Sequence, residues 1–192
     1  HQAQRLRSAG RSVSIAEVAI QDSDGNELPT GQVGEIVARG LMVMRGYWNK
    51  PAETAQALRN GWMHTGDGGY MDADGYVYVV DRIKDMIVSG GENVYSCEVE
   101  NAIALHPDVS LSAVIGVPDE RWGERVHAVV MLRPDATLDE ATLIEHCRIH
   151  IAGYKIPRSV EFRAELPLSP AGKLQKFVLR EPFWAHMERR VN

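Results

Sequence analysis

The hydrophobic pattern changes character at Asp81-Arg82, and that change limits the fold more than any other feature of the chain. Upstream, short β-rich stretches are separated by turns. Val13, Ile15, Val18 and Ile20 recur around polar residues, and Asp22-Ser23-Asp24-Gly25-Asn26 follows as a turn. Val33 to Ala38 forms a second stretch, ended by Gly40. Pro51 to Leu58 reads as a short helix, with proline in its first turn and Gly61 beyond its end. Met71 to Val80 reads as a hairpin turn leading into a strand.

Downstream of Arg82, helices and strands alternate. Ser96 is placed to cap a helix through Val99, Ala102, Ile103 and Leu105, stopped by Pro107. Val109–Val117 and Val126–Leu132 are strand candidates, and Val160-Glu161-Phe162 is a shorter one. Thr137-Leu138-Asp139-Glu140 fits a capping box opening a helix, with Ile144, Cys147 and Ile151 on one face and Gly153 past its end. A last helix is expected from Phe177. Strand runs followed by mixed elements predict fold class α+β. The expected organisation is a β-rich subdomain over 1–81 and a small mixed α/β domain over 82–192, with a three-stranded sheet and flanking helices.

Composition excludes several function classes. A formal net charge of −5 argues against a nucleic-acid or anionic-membrane binder, which needs a basic face. No apolar run approaches the roughly 20 residues of a membrane span. The polar opening His1 to Arg5 lacks the apolar segment of a secretory signal. Cys97 and Cys147 lie far apart and outside CxxC spacing, which suits reduced thiols in the cytoplasm. Asp22-x-Asp24-Gly25 and Asp72-x-Asp74-Gly75 lack the later ligands of a calcium loop and read as turns. His106, His146 and His150 have no glutamate in metalloprotease spacing, so no metal site is expected.

Three short constellations remain: Thr65-Gly66-Asp67; Asp81-Arg82-Ile83-Lys84-Asp85 leading to Ser89-Gly90-Gly91-Glu92-Asn93; and Ser169-Pro170-Ala171-Gly172-Lys173. Each alone has a bland reading. Thr-Gly-Asp and Ser-Gly-Gly are usually turns, and Ala-Gly-Lys lacks the leading glycine and trailing Ser/Thr of a phosphate-binding P-loop. In this order and spacing, flanked by Gly46-Tyr47-Trp48-Asn49-Lys50-Pro51, Gly61-Trp62-Met63-His64 and Ile115-Gly116-Val117-Pro118-Asp119, they are far more specific. The chain resembles the adenylate-forming superfamily of acyl-CoA synthetases, peptide-synthetase adenylation domains and beetle luciferases. The resemblance extends over nearly its whole length.

That resemblance implies a ligase that joins a carboxylate to the α-phosphate of ATP and then passes the acyl group to a thiol. Asp67 would clamp both ribose hydroxyls, since a carboxylate accepts two hydrogen bonds at once. Arg82 would reach the same ribose with its rigid fork. Lys84 falls at the family's hinge, where a few backbone torsions absorb a domain rotation. Gly90 and Gly91 would let a pantetheine arm pass close to the backbone. Lys173 would be catalytic, its ammonium offsetting repulsion between two anions and stabilising the transition state. Its Pro-Ala-Gly neighbours predict a mobile loop, and nearby Lys176 reads as a solvated surface charge.

The implied cofactors are ATP, CoA and magnesium, with the magnesium ligands expected upstream of this chain. The family's phosphate loop, acyl pocket and Tyr-Gly-x-Thr-Glu segment are not among the 192 residues. The chain would then hold the β-rich end of the large domain plus the small mobile domain, and would be inactive alone. Its exposed edge would favour a homo-oligomer. No carrier-protein serine motif follows Asn192, so CoA is the expected acceptor rather than a carrier protein; a non-catalytic interaction fragment is the further alternative. Three departures stand out: Gly68 where the family usually has an aliphatic residue, Ser96 in place of a common proline, and Asp81 where many members have glycine.

Overall fold

Alternating apolar residues and tight turns organise the chain into two compact units, His1–Lys84 and Asp85–Asn192. The computed structural model describes residues 5–185.

Among the described residues, the first unit holds a six-stranded sheet and a short helix over Pro51–Ala57. Its elements are β1 (Gly10–Arg11), β2 (Ala16–Gln21), β3 (Gly34–Gly40), α1 (Pro51–Ala57), β4 (Leu58–Arg59), β5 (Trp62–Met71) and β6 (Tyr76–Arg82). The strand order is β1-β6-β5-β3-β2, with β4 beside β5 and every pairing antiparallel. Period-2 side chains split onto the two faces. Ala19, Val37 and Trp62 cluster separately from Ile20, Ile36 and Val77. Two Asx turns close the hairpins as the sequence suggests: Asp22 accepts from the amides of Asp24 and Asn26, and Asp72 from those of Asp74 and Tyr76.

The second unit comprises β7 (Ile87–Ser89), β8 (Glu92–Val94), α2 (Ser96–Ala104), β9 (Val109–Asp119), β10 (Gly123–Leu132), α3 (Glu140–His150), β11 (Ser159–Phe162) and α4 (Lys176–Trp184). Its sheet has five strands, because the β7–β8 hairpin adds two to the three expected. Three-residue strands flanking two glycines leave too little periodicity to be read as strands. β9 and β10 pair antiparallel, whereas β11 runs parallel to β10. Val114, Val126, Ala128 and Val130 pack toward α2 and α3 with Val99, Ile103, Leu143 and Cys147. Ala113, Ile115, Val117 and Val129 pack toward α4 with Leu166 and Leu179. Both faces are covered, so these strands read as continuous apolar runs.

Two caps differ from expectation. Asp139, not Thr137, caps α3, accepting from Thr142 N at 2.7 Å, and the Glu140 carboxylate turns instead to Val160 N at 3.0 Å. Ser96 is the first residue of α2, which Tyr95 precedes as N-cap without a side-chain hydrogen bond. Among the described residues, no helix is long and apolar enough to cross a membrane.

Candidate functional site

Thr65-Gly66-Asp67 is not a loop between strands but an interruption within β5, the longest strand of the first unit. On the β3 side, Glu35 pairs with Gly68 and Val37 with His64, so Ile36 alone stands opposite all three motif residues. The extra residues bulge outward, as bulges beside functional sites commonly do. Gly66 accepts the left-handed conformation the excursion needs, at φ +73°. The ladder groups released by the bulge find other partners: Thr65 Oγ1 donates to Ile36 O at 2.7 Å, Gly66 N donates to Glu35 Oε1 at 3.1 Å, and Asp67 N donates to Thr65 Oγ1 at 3.1 Å.

On its other edge, β5 meets β6 with Asp67 opposite Arg82 and Gly68 opposite Asp81, after which the register shifts and Gly69 faces Val79. Asp67 and Arg82 are therefore direct cross-strand neighbours, with Arg82 Nε 3.5 Å from Asp67 Oδ1 and both side chains substantially exposed. The expected ribose pair is brought together, its carboxylate and guanidinium open to a ligand. Gly68 is buried, and a Cβ there would stand 3.2 Å from Ile83 Cδ1, a tight contact. At Gly69 an added Cβ would overlap the Tyr78 carbonyl, so the strand crossing itself requires glycine.

Lys84 is exposed, lies in a short 3-10 turn over Ile83–Asp85, and is the last residue of the first unit. Next to it, Asp85 is held by Arg180 of α4 in a nearly buried ion pair of 2.9 Å.

Gly90 and Gly91 form the two-residue turn between β7 and β8, at φ +62° and +87°, the backbone pattern of a tight hairpin. Gly90 has a second constraint. Its amide donates to Trp122 O at 2.9 Å, and an added Cβ would sit 2.7 Å from Trp122 Cε3. Trp122 thus packs on the glycine turn, with the Arg121 guanidinium 4.6 Å from its ring centroid.

Lys173 sits on a small closed hairpin. Ser169 N donates to Lys173 O at 2.8 Å, Gly172 N to Ser169 O at 2.8 Å and Lys173 N to Ser169 Oγ at 3.1 Å, with Leu168 bridged to Leu174. The loop anticipated to be mobile is hydrogen-bonded, and its flanks are fixed by buried Leu166 and partly buried Leu174 in the α4-side core. The Lys173 side chain is exposed.

Lys176 corrects the sequence reading. It is no solvated charge: its ammonium lies 2.7 Å from Glu100 Oε1 and 2.7 Å from Ser96 Oγ, with the lysine side chain 12% exposed. Glu100 Oε1 also accepts from Val114 N at 2.7 Å, so one carboxylate ties α2, β9 and α4 together. Partners this far apart in sequence leave no local signal.

His146 Nε2 lies 3.0 Å from Ala102 O and links α3 to α2, with the His106 and His150 rings packed on either side of it. Among the described residues, no three His, Cys, Asp or Glu side chains converge as a metal set.

Comparison with known proteins decides the family. Residues 98–173 match the model of the AMP-binding enzyme C-terminal domain, and residues 1–48 match that of the AMP-binding enzyme. The chain belongs to the adenylate-forming, AMP-binding superfamily. It is 47% identical over 183 residues to a feruloyl-CoA synthase of Amycolatopsis, covering 95% of this chain and 37% of that protein. To a fatty acid–[acyl-carrier-protein] ligase of Streptomyces coeruleorubidus it is 42% identical, covering 97% of this chain and 36% of that one. Among solved structures, o-succinylbenzoate CoA synthetase of Bacillus subtilis, in complex with its acyl-adenylate intermediate, superposes with a TM-score of 0.85. That pair shares 36% identity over 93% of this chain and 36% of the other. The chain therefore spans little more than a third of the length of such AMP-binding relatives.

Proposed function

We propose that this chain is the C-terminal region of an ATP-dependent acyl-CoA synthetase. Residues 1–81 are the β-rich end of the large AMP-binding domain, and 82–192 are its small mobile domain. The observation that carries the reading is the Asp67–Arg82 pair, set opposite each other by a bulge in β5 and held open to a ligand. In the first half-reaction a carboxylate oxygen attacks the α-phosphorus of ATP, and the bond to the bridging oxygen breaks as pyrophosphate leaves. In the second, the thiol sulfur attacks the acyl carbonyl, AMP leaves with the C–O electron pair, and the thiol proton passes to water.

Asp67 accepts from both ribose hydroxyls and Arg82 lies against the same sugar. Lys173 supplies positive charge between the acid oxygen and the α-phosphate, where it counts most in the transition state. Lys84 is the hinge, and Gly90-Gly91 borders the thiol channel. Magnesium carried with the ATP is expected to be held by residues upstream of this chain. The isolated chain provides one wall of a shared cleft, so we expect it to be inactive and to bind AMP weakly when titrated. Neither Cys97 nor Cys147 is in a disulfide, which supports a cytoplasmic location.

The test separates the half-reactions. In the ligase containing this chain, Lys173→Ala should lower acyl-AMP formation by about 10²–10³, measured as pyrophosphate exchange, while sparing thiolysis of supplied acyl-AMP. Adenylation at an undiminished rate defeats the assignment. A second reading, transfer to a carrier protein, is favoured by the relative named as an acyl-carrier-protein ligase. Offering CoA and a phosphopantetheinylated carrier side by side separates the two acceptors.

A further inference from the structure

The bulge that aims Asp67 outward is held from beneath by one carboxylate, and that group falls outside all three sequence motifs. Glu35 Oε1 accepts from Gly66 N at 3.1 Å, while Glu35 Oε2 lies 2.8 Å from His64 Nδ1 and 3.2 Å from Arg59 Nη2. These donors come from two strands: His64 and Gly66 from β5, and Arg59 from β4. The Glu35 side chain is 18% exposed and that of His64 only 7%. A carboxylate oxygen facing the ring in this way accepts from the tautomer that carries its proton on Nδ1. His64 Nε2 is buried and has no hydrogen-bond partner among the described residues.

A bulge of three residues against one loses the ladder bonds that ordinarily set a strand. Thr65 is exposed and Gly66 has no side chain, so apolar packing does little to fix the excursion. Its geometry is specified by polar contacts. Thr65 Oγ1 anchors one side on Ile36 O, and Glu35 holds the Gly66 amide that immediately precedes Asp67. Bonds to an ionised acceptor are shorter and about twice as strong as neutral ones.

We propose that Glu35, clamped by His64 and Arg59, is a positioning residue that sets the Asp67 carboxylate for recognition of the two vicinal ribose hydroxyls. The inference rests on the reading of Asp67 as the ribose acceptor. Glu35 touches no substrate; it acts through the Gly66 amide. Its loss therefore shows most where the ribose hydroxyls contribute most, in the preference for ATP over 2′,3′-dideoxy-ATP, and least in the KM for the carboxylic acid.

The experiment compares Asp67→Ala, Glu35→Gln and Arg59→Met in the ligase containing this chain, measuring kcat/KM for ATP and for 2′,3′-dideoxy-ATP. Glu35→Gln keeps an oxygen for the Gly66 amide but removes the charge and places an NH2 group against two donors. It should lower the preference for ATP by about tenfold. Arg59→Met, on the more exposed side of the clamp, should lower it less and in the same direction, and covers the case in which Glu35→Gln fails to fold. Hydrogen exchange in the 192-residue chain should show the Gly66 amide losing protection in Glu35→Gln. If Asp67→Ala erases the preference while both clamp variants keep it, the positioning role is overturned and the ribose reading stands. If Asp67→Ala itself keeps the preference, the ribose reading falls and takes the positioning role with it.

Discussion

On the proposed function, the Asp67 bulge and the Lys173 hairpin would each present one charged side chain to a ligand, and they are built by opposite means. Asp67 lies within a strand of a six-stranded sheet, and the backbone beneath it is held by a carboxylate from the adjacent strand. Lys173 lies on a small hairpin closed by local contacts, those of Ser169 and the Leu168–Leu174 bridge, and mounted beside a helix that is bolted down elsewhere. Two ion pairs make the bolts: Lys176 with Glu100, and Arg180 with Asp85 at the start of the second unit. A group that binds the same sugar in both half-reactions benefits from a rigid seat. A cation needed for only one of them is better carried on a compact element that moves as a body. Asp85 adjoins Lys84, and its ion pair with Arg180 ties the start of the second unit to the helix that follows Lys173.

The largest expected effect comes from removing a bolt. Lys176→Met leaves the Glu100 carboxylate largely buried without its cation and should destabilise the second unit by about 3–5 kcal/mol in urea unfolding. An unchanged midpoint would mean the hairpin is not mounted as described. Next is Lys173→Ala, with a loss of about 10²–10³ in adenylation and no change in unfolding midpoint, because the side chain is exposed. A large stability loss there would erase the distinction between the lysine that acts and the lysine that anchors.

Gly90→Ala should cost about 1–3 kcal/mol, since the new methyl must both take a left-handed backbone and displace the Trp122 ring. Pairing it with Trp122→Ala separates the two causes, because removing the ring should recover the steric part alone. The smallest effect is a pH dependence. Burial lowers the pKa of His127 below its ordinary 6.5, outweighing Glu161, whose carboxylate favours the cation; Arg125 and Arg163 add to the lowering. Ser159 Oγ, 2.8 Å from Nδ1, and the Phe183 ring complete its surroundings. The unfolded chain then binds the proton more readily than the folded one, so stability is full above about pH 6.5 and falls as the pH drops toward the folded value. Urea midpoints at pH 7.5 and 5.5 should show this decline, and His127→Asn should flatten it.

What could be read from sequence follows from how local each signal is. The strands at Val109–Val117 and Val126–Leu132 announce themselves through uninterrupted β-branched residues, and Pro51 opens its helix where proline is tolerated. The adjacent glycines at 90 and 91 make a tight turn legible, though not the tryptophan packed on it. The sequence marks Asp67, Arg82 and Lys173 as members of a spaced set, while the bulge that carries Asp67 leaves no mark in it, because it arises from register with β3 and β6. Glu35 lies 31 residues from Gly66 in sequence, and Glu100 is similarly remote from Lys176, so neither partnership leaves a local pattern. Thr137 misled for a related reason: the Thr-x-x-Glu spacing is a capping box only if the helix starts there, and Asp139 competes successfully for the position.

The central claim is that the interrupted β5 strand seats a nucleotide ribose. The most direct measurement is a crystal structure of the ligase containing this chain with a non-hydrolysable acyl-adenylate analogue. The account predicts both ribose hydroxyls within hydrogen-bonding distance of the Asp67 carboxylate, with Gly66 N still donating to Glu35. Ribose hydroxyls bound elsewhere, with Asp67 facing only solvent and Arg82, would contradict it.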